Sequence, residues 1–142
     1  MNVRIASADD VNDLLELNTC FHNITTFEAI KKSLVENNRE IVCIAFCDNT
    51  AIGYCSGLIV RSMCYSDNHA DIEALYVKDE YRGKGVGKAL LKYLENELIA
   101  RGIYHIHIIT HATNTAAQSL YESSGYAKTG EILLDKTLER QN

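Results

Sequence analysis

Three alternating glycines stand between a strand-like segment and a helix-like segment, and this arrangement constrains the fold more than any other feature. The glycines are Gly83, Gly85 and Gly87. Residues 70–77 before them alternate in polarity, as a half-buried strand does. The segment after them is apolar at every fourth position, namely Val86, Leu90, Leu94 and Leu98. A strand, a glycine-rich turn and an amphipathic helix in this order favour an α/β architecture in which the backbone approaches a ligand closely.

The turn is expected to bind an anion. Backbone amides in the first turn of a helix lack partners, and the helix dipole favours negative charge at that end. Arg82, Lys84 and Lys88 add positive charge beside the glycines, so a diphosphate is the expected occupant. Neither the Walker string G-x-x-x-x-G-K-(S/T) nor the dinucleotide fingerprint G-x-G-x-x-G occurs here.

Composition excludes several classes of protein. Fourteen basic and nineteen acidic residues give a net charge of -5, so nucleic acid is not an expected partner. The longest apolar run, residues 41–47, is far shorter than the roughly 20 residues of a membrane helix, and the polar start lacks a signal-peptide core. Five cysteines without Cys-x-x-Cys spacing indicate reduced core thiols. We therefore expect one domain over residues 1–142, in the cytoplasm and with no membrane partner.

Periodicity predicts the element order β-α-α-β-β-β-α-β-α-β. Strands are predicted at residues 3–6, 40–47, 51–63, 70–77 and 103–110, with one or two more within 126–138. Helices are predicted to end near residues 20, 36, 101 and 123. Strict alternation in the fourth strand would place Ile72, Ala74 and Tyr76 on one face and Asp71, Glu73, Leu75 and Val77 on the other.

The glycine-rich segment also resembles a known family. The string Val77-x-x-x-Tyr81-Arg82-Gly83-x-Gly85-x-Gly87 is followed by Asn114 and Ala117, and then by Tyr121-x-x-x-Gly125-Tyr126. These residues resemble the GCN5-related N-acetyltransferase (GNAT) superfamily, whose core motif (Q/R)-x-x-G-x-(G/A) is here Arg82-x-x-Gly85-x-Gly87. The resemblance covers roughly residues 72–126.

The resemblance implies an α/β (α+β) fold and a cosubstrate. The fold would be a mixed, mostly antiparallel sheet of six to seven strands flanked by about four helices, with strands 4 and 5 parallel and splayed around acetyl-CoA. The pyrophosphate would lie on the amides of Arg82, Gly83, Lys84, Gly85, Val86, Gly87 and Lys88. The pantetheine arm would pair with the backbone of Leu75, Tyr76 and Val77 like an added strand. Asn114 would either contact the cofactor arm or cap its helix.

The resemblance also implies direct acetyl transfer to a primary amine in a ternary complex, without an acyl-enzyme. The Val77 amide would stabilise the oxyanion, and Tyr121 would donate a proton to the departing CoA thiolate. The amine needs a base, for which Glu73 is the first choice. Asp71, His111 and a water chain are left as alternatives.

The anionic residues Asp71 and Glu73 favour a small cationic acceptor, either a polyamine-like amine or an aminoglycoside. A protein or peptide N-acetyltransferase is the alternative enzyme, and a non-catalytic acetyl-CoA sensor is the alternative from another class. Family analogy also raises a homodimer as an option.

No metal site is expected from the sequence. His105 and His107 share a face of the fifth predicted strand and resemble a metal-binding pair. A zinc site needs at least a third ligand, and none lies at ligand spacing near them in the sequence.

Overall fold

A five-stranded mixed sheet forms the centre of the computed structural model, which describes residues 1–141. Its strands are β1 (Asn2–Ile5), β2 (Glu40–Cys47), β3 (Thr50–Val60), β4 (His69–Val77) and β5 (Ile106–Ile108), and they lie side by side in chain order. The first four are antiparallel neighbours, and β5 runs parallel to β4. The predicted mixed sheet with parallel strands 4 and 5 is therefore confirmed.

Four α-helices flank the sheet, as predicted. They are α1 (Val11–Cys20), α2 (Phe27–Glu36), α3 (Val86–Ala100) and α4 (Thr115–Ser123), with single 3-10 turns before α1 and between β4 and α3. Ser7 and Asp10 form a capping box ahead of α1, and Thr26 caps α2. In the part of the chain that the structure describes, no helix has both the length and the apolar character needed to span a bilayer.

Each face of the sheet carries a separate core. On one face, four leucines of α3 pack against β2, β3 and β4, and none of them is more than 1% exposed: Leu90, Leu91, Leu94 and Leu98. On the other face, α1 packs against side chains of β2, β3 and β4 such as Ile44, Tyr54 and Tyr76. The sheet is thus covered on both sides, which requires β3 to be buried along most of its length.

Two glycines of β3 let α3 approach the sheet. A Cβ at Gly53 would lie 2.7 Å from the carbonyl oxygen of Tyr76 and 3.2 Å from Leu90 Cδ1. A Cβ at Gly57 would lie 3.1 Å from Leu94 Cδ2. The distance between α3 and the sheet therefore depends on the absence of side chains at both positions.

A β-bulge interrupts β4. Ser56 pairs with Ala74, but the next residue of β3, Gly57, pairs with Ile72, so Glu73 is the extra residue. A bulge inserts one residue into a strand and reverses the side-chain alternation beyond it.

The strict alternation predicted for β4 is therefore wrong. Ile72 packs with the α3 core, as do Leu75 and Val77. Ala74 and Tyr76 pack with the α1 core on the opposite face. Regular alternation would have placed Ile72 on the same face as Tyr76, and the bulge between them prevents this.

The sheet has five strands instead of the predicted six to seven. β5 is shorter than the predicted 103–110, and residues 126–138, expected to hold one or two strands, contain no regular element. The apolar side chains of this segment are between 70% and 84% exposed: Ile132, Leu133, Leu134 and Leu138. A strand forms where its side chains pack against neighbours, and these side chains are mostly exposed in the described chain. The segment is held at its start, where the Tyr126 hydroxyl donates to Glu95 Oε2 at 2.8 Å.

Gly53→Ala should lower the free energy of unfolding by about 1–3 kcal/mol, because the added methyl overlaps a backbone carbonyl that cannot move freely. Urea denaturation would measure the loss. Gly130→Ala is the matched control, since nothing lies within 4 Å of its Cβ position, and it should change stability by less than about 0.5 kcal/mol. Equal stabilities of the two variants would contradict the close packing of α3.

Candidate active site

A gap opens between β4 and β5. The two strands pair only where Ala70–Ile72 lie beside Ile106–Ile108. Farther along β4, Leu75–Val77 pair with β3 on one side. On the other side they have no neighbouring strand within residues 1–141. This end of β4 is therefore an open sheet edge inside the molecule.

Hydrogen-bond alternation determines which groups of β4 face the gap. The Lys78 amide donates to the Ile52 carbonyl of β3 at 2.8 Å. In an antiparallel pair, successive residues direct their backbone groups alternately toward and away from the partner strand. The N–H and C=O of Val77 and Leu75 therefore point into the gap, whereas those of Tyr76 point toward β3. Consistent with this, Arg82 Nε donates to the Val77 carbonyl from the gap side at 3.0 Å.

The glycine-rich turn lies at the start of α3 and presents free amides. Gly83 and Gly85 have φ angles of 74° and 84°, which a glycine adopts at little cost, and Gly85 is the N-cap of α3. Within the described chain, none of the backbone amides of residues 83–88 donates to a protein acceptor. Six amides at a helix N-terminus form a site suited to an anion.

The predicted cations lie beside this turn, and contacts with neighbouring residues orient Arg82 and Lys84. Arg82 forms a 2.9 Å ion pair with Asp79, and its guanidinium lies 5.6 Å from the centre of the Tyr76 ring. Lys84 Nζ lies 5.7 Å from the centre of the Tyr81 ring. Lys88 is exposed on the first turn of α3. The turn thus combines free amides with positive charge, while the Val86 side chain is buried in the core.

The absence of a side chain at Gly87 lets α4 pack close to the glycine-rich turn. A Cβ at Gly87 would lie 3.1 Å from Leu120 Cδ2 of α4 and 3.8 Å from Val77 Cγ2. Asn114 is the N-cap of α4, and its side chain accepts from the Ala117 amide at 3.1 Å, so the capping alternative for Asn114 is observed. With α4 packed this closely, the next residue after Leu120 lies beside the α3 core.

That residue is Tyr121. Its ring is half-buried, packs against the α3 core and lies 6.1 Å from the ring of Tyr126. Burial raises the pKa of the Tyr121 phenol to about 12, with a smaller contribution from Cys55. The hydroxyl is therefore protonated at neutral pH and able to donate a proton.

A pocket of about 280 Å³ lies on the opposite face of the sheet, between α1, α2 and strands β2 to β4. It is lined by Leu14, Asn18, Asn23, Thr25, Ala29, Ile30, Ser33, Leu34, Glu40, Val42, Tyr54, Ser56, Glu73 and Ala74. The Tyr54 hydroxyl fixes part of the wall, since it donates to Asn18 Oδ1 at 2.8 Å and accepts from Asn23 Nδ2 at 2.9 Å.

Two carboxylates make this pocket acidic. Glu40 accepts hydrogen bonds from the hydroxyls of Ser33 and Ser56. Burial raises the pKa of Glu73, and the negative charges of Asp71 and Glu40 raise it further. No lysine or arginine lines the pocket in the described chain. Sequence reasoning missed Glu40, although a glutamate at the start of an otherwise apolar strand was a visible signal.

The two alternative bases lie elsewhere. Neither Asp71 nor His111 lines the pocket. Asp71 contacts His69 and His107, each at 3.5 Å. His111 is exposed, and its Nδ1 lies 2.7 Å from Thr113 Oγ1. No third ligand lies near His107 in the sequence, but the fold brings His69 and Asp71 beside it.

Two of the five cysteines, Cys43 and Cys55, are not suited to nucleophilic catalysis. All five are free. Cys43 and Cys55 are fully buried, and burial raises the pKa of Cys43 to about 12 and that of Cys55 well above its usual value. Cys20 and Cys64 are exposed, so the prediction of core thiols is wrong for these two.

Comparison with known proteins identifies relatives in sequence. The family model described as "Acetyltransferase (GNAT) family" matches residues 9–126. An acetyltransferase of Yersinia pestis (strain Pestoides F) is 35% identical over 85 residues, which are 58% of this chain and 60% of the relative. An acetyltransferase of Sodalis glossinidius (strain morsitans) is 40% identical over 81 residues, or 56% of this chain and 57% of the relative. The aligned part thus spans less than two thirds of these relatives.

Solved structures resemble the whole fold. An aminoglycoside acetyltransferase from an uncultured soil metagenomic sample, in complex with sisomicin, has a TM-score of 0.85 at 18% identity, over 97% of this chain and 96% of the other. The enzyme AAC(6')-Iy with a CoA-containing bisubstrate analogue has a TM-score of 0.85 at 19% identity, over 96% and 97%. A ribosomal-protein-alanine N-acetyltransferase from Brucella melitensis has a TM-score of 0.81 at 15% identity, over 96% and 100%. At these identities the likeness establishes the fold.

Proposed function

The chain belongs to the GNAT acetyltransferase family, and we propose that it transfers acetyl from acetyl-CoA directly to a primary amine of a small cationic molecule. The observation that carries this proposal is the open edge of β4 at Leu75–Val77 beside the free amides at the start of α3. The open edge of β4 can pair with a ligand as a neighbouring strand would, and the amides at the start of α3 can donate hydrogen bonds to a diphosphate. Acetyl-CoA has an amide-bearing arm and a diphosphate in sequence, so it matches both.

We propose the following positions for acetyl-CoA. The diphosphate binds the amides of residues 83–88, with the charge of Lys84 and Lys88 nearby. The Arg82 amide, predicted to belong to this group, instead donates to the Asp79 carbonyl at 3.2 Å. The pantetheine arm pairs with the backbone groups of Leu75 and with the Val77 carbonyl, which face the gap, and the Val77 N–H is left for the thioester oxygen. Tyr76 directs its backbone to β3, so its contribution is the ring beneath the Arg82 guanidinium. The unused amide hydrogens of Asn114 are then free to contact the arm.

The transfer itself is a nucleophilic addition followed by elimination. The amine nitrogen attacks the thioester carbonyl carbon, and the Val77 N–H stabilises the oxyanion. The carbon–sulfur bond then breaks, and the leaving thiolate takes the proton of Tyr121. Before the attack, the bound ammonium loses a proton to Glu73, directly or through a water, because Glu73 lines the pocket next to the bulge in β4. The nitrogen loses its second proton as the amide forms, and this proton restores the Tyr121 phenol. The products are an amide and CoA.

The pocket supports the proposed acceptor class. Its wall carries the carboxylates of Glu40 and Glu73 and no cation in the described chain, so a protonated amine is stabilised there. Its volume of about 280 Å³ is near the lower limit for small-molecule sites. A polyamine-like amine, or one amino-sugar ring of an aminoglycoside, is of suitable size and charge.

We further propose that the protein acts in the cytoplasm on a free small molecule, without nucleic acid as partner. Its five cysteines are all unpaired, although Cys43 and Cys55 lie directly opposite each other on β2 and β3. Free thiols are expected in a reducing compartment.

The purified chain should release CoA thiol from acetyl-CoA in the presence of one class of cationic amine. The assay compares polyamines, aminoglycosides, amino acids and short peptides, with a control that lacks acceptor. Turnover on peptides alone would identify a peptide acetyltransferase and would contradict the small-amine proposal. Acetyl-CoA binding without turnover on any acceptor would instead indicate a sensor.

The same assay tests the pocket. Glu73→Gln removes the proposed base at nearly constant volume and should lower kcat on the preferred amine at least about tenfold. Glu36→Gln is the matched control, because Glu36 is an exposed residue of α2 that does not line the pocket. Equal kcat values for the two variants would remove Glu73 from the mechanism.

Gly85→Ala should weaken acetyl-CoA binding at least about tenfold, because the added methyl enters the space that the diphosphate is proposed to occupy. Isothermal titration calorimetry would measure the affinity. Gly102→Ala is a matched control at the other end of α3, since Gly102 also has a positive φ and an open Cβ position. Both variants carry the same backbone strain, so equal affinities would contradict the assignment of the turn.

Tyr121→Phe should lower kcat at least about tenfold with little change in the affinity for acetyl-CoA. A group with its pKa raised to about 12 stays protonated through the ordinary assay range. The rate in the unmodified protein should therefore not decline through Tyr121 ionisation below about pH 11. An unchanged kcat in the variant would exclude Tyr121 as the acid.

A further inference from the structure

Three ligand-type side chains meet where β4 and β5 pair. The parallel register places His107 of β5 directly beside Asp71 of β4, and His69 lies two residues before Asp71 on the same strand. Asp71 Oδ1 is 3.5 Å from His69 Nε2 and 3.5 Å from His107 Nδ1. One ligand atom from each of the three residues lies within 4.8 Å of the others.

These separations match those between ligands of one metal ion. With zinc–ligand bonds of about 2.0–2.1 Å, tetrahedral geometry separates neighbouring ligand atoms by about 3.4 Å. Two of the three separations are already close to this value, so a small rotation of the rings brings the third into range. The His69 side chain is 17% exposed, while Asp71 and His107 are 38% and 45% exposed, which leaves the site open to ions.

A fourth residue orients the cluster. His105 Nε2 lies 3.0 Å from His107 Nε2. A hydrogen bond between two ring nitrogens needs one of them to be an unprotonated acceptor, so both rings cannot be fully charged in this arrangement. If His105 accepts from His107 Nε2–H, the lone pair of His107 Nδ1 is left facing Asp71. Metal-binding histidines are commonly fixed by such a bond from the second ring nitrogen.

We propose that His69 Nε2, Asp71 Oδ1 and His107 Nδ1 bind a divalent transition-metal ion of the zinc class. Two imidazoles and one carboxylate are a donor set suited to Zn²⁺ or Co²⁺, with a fourth position for water. The ion would join β4 to β5 at the only place in the described chain where they pair. It would thereby hold together the closed end of the gap, at the other end of β4 from Leu75–Val77.

The test uses the full chain after treatment with EDTA. Cys20→Ser and Cys64→Ser are introduced first, because exposed thiols also bind Zn²⁺. Calorimetric titration with Zn²⁺ should show one ion per chain. Titration with Co²⁺ should give visible d–d bands of four-coordinate intensity. A hundredfold excess of Zn²⁺ over its dissociation constant should raise Tm by at least about 4 °C.

Variants identify the ligands. His69→Ala, Asp71→Asn and His107→Ala should each weaken Zn²⁺ binding about 100-fold or more, and His105→Ala about tenfold through loss of orientation. His22→Asn removes an exposed histidine outside the cluster and should leave the affinity unchanged. Far-ultraviolet circular dichroism checks that each variant is folded, and His69→Gln replaces any that is not. Absence of Zn²⁺ binding, or affinity that is unchanged in both His69→Ala and His107→Ala, would overturn the proposal.

Discussion

The packing of α3 against the sheet determines where both parts of the candidate site can form. Four leucines of α3 are almost fully buried, and their hydrophobic contacts with β2, β3 and β4 fix the helix along the sheet. Gly53 and Gly57 let the helix lie close enough for these contacts. Because α3 begins immediately after the turn that follows β4, this packing also fixes the free amides of residues 83–88 near the open edge of that strand.

The two compartments of the site lie on different sides of one strand. β4 contributes backbone groups of Leu75 and Val77 to the gap, and the side chain of Glu73 to the acidic pocket. The bulge at Glu73 reverses the side-chain alternation of β4, so the residues before and after it face different cores than a regular strand would allow. The proposed function places the thioester along the gap and the amine in the pocket, so that the two approach each other beside β4.

The parts of the fold that local pattern controls were predictable from sequence. The glycine-rich turn, the four helices and the limits of β2 follow from caps, periodicity and β-branched residues, and the motif around Arg82 indicated the family. Features that depend on pairing between distant segments were not predictable. The bulge at Glu73 exists only relative to β3, and Asp71 meets His107 only through the register between β4 and β5, although the resemblance implied their parallel direction. Apolar residues after Tyr126 suggested strands, but β-propensity without a packing surface does not specify one.

The bulge in β4 also bears on how this strand tolerates change over evolution. Ile72 and Ala74 lie two positions apart on either side of Glu73, but they pack in different cores and against different neighbours. A volume change at one is absorbed by a separate set of contacts from a change at the other. Deletion of Glu73 is a different matter, because it would leave Ile72 and Ala74 as consecutive residues opposite Gly57 and Ser56, a regular strand with both faces preserved. Deletion of any other residue within the strand would exchange the faces of one part of it, so the bulge is the position at which a change in the length of β4 disturbs the two cores least.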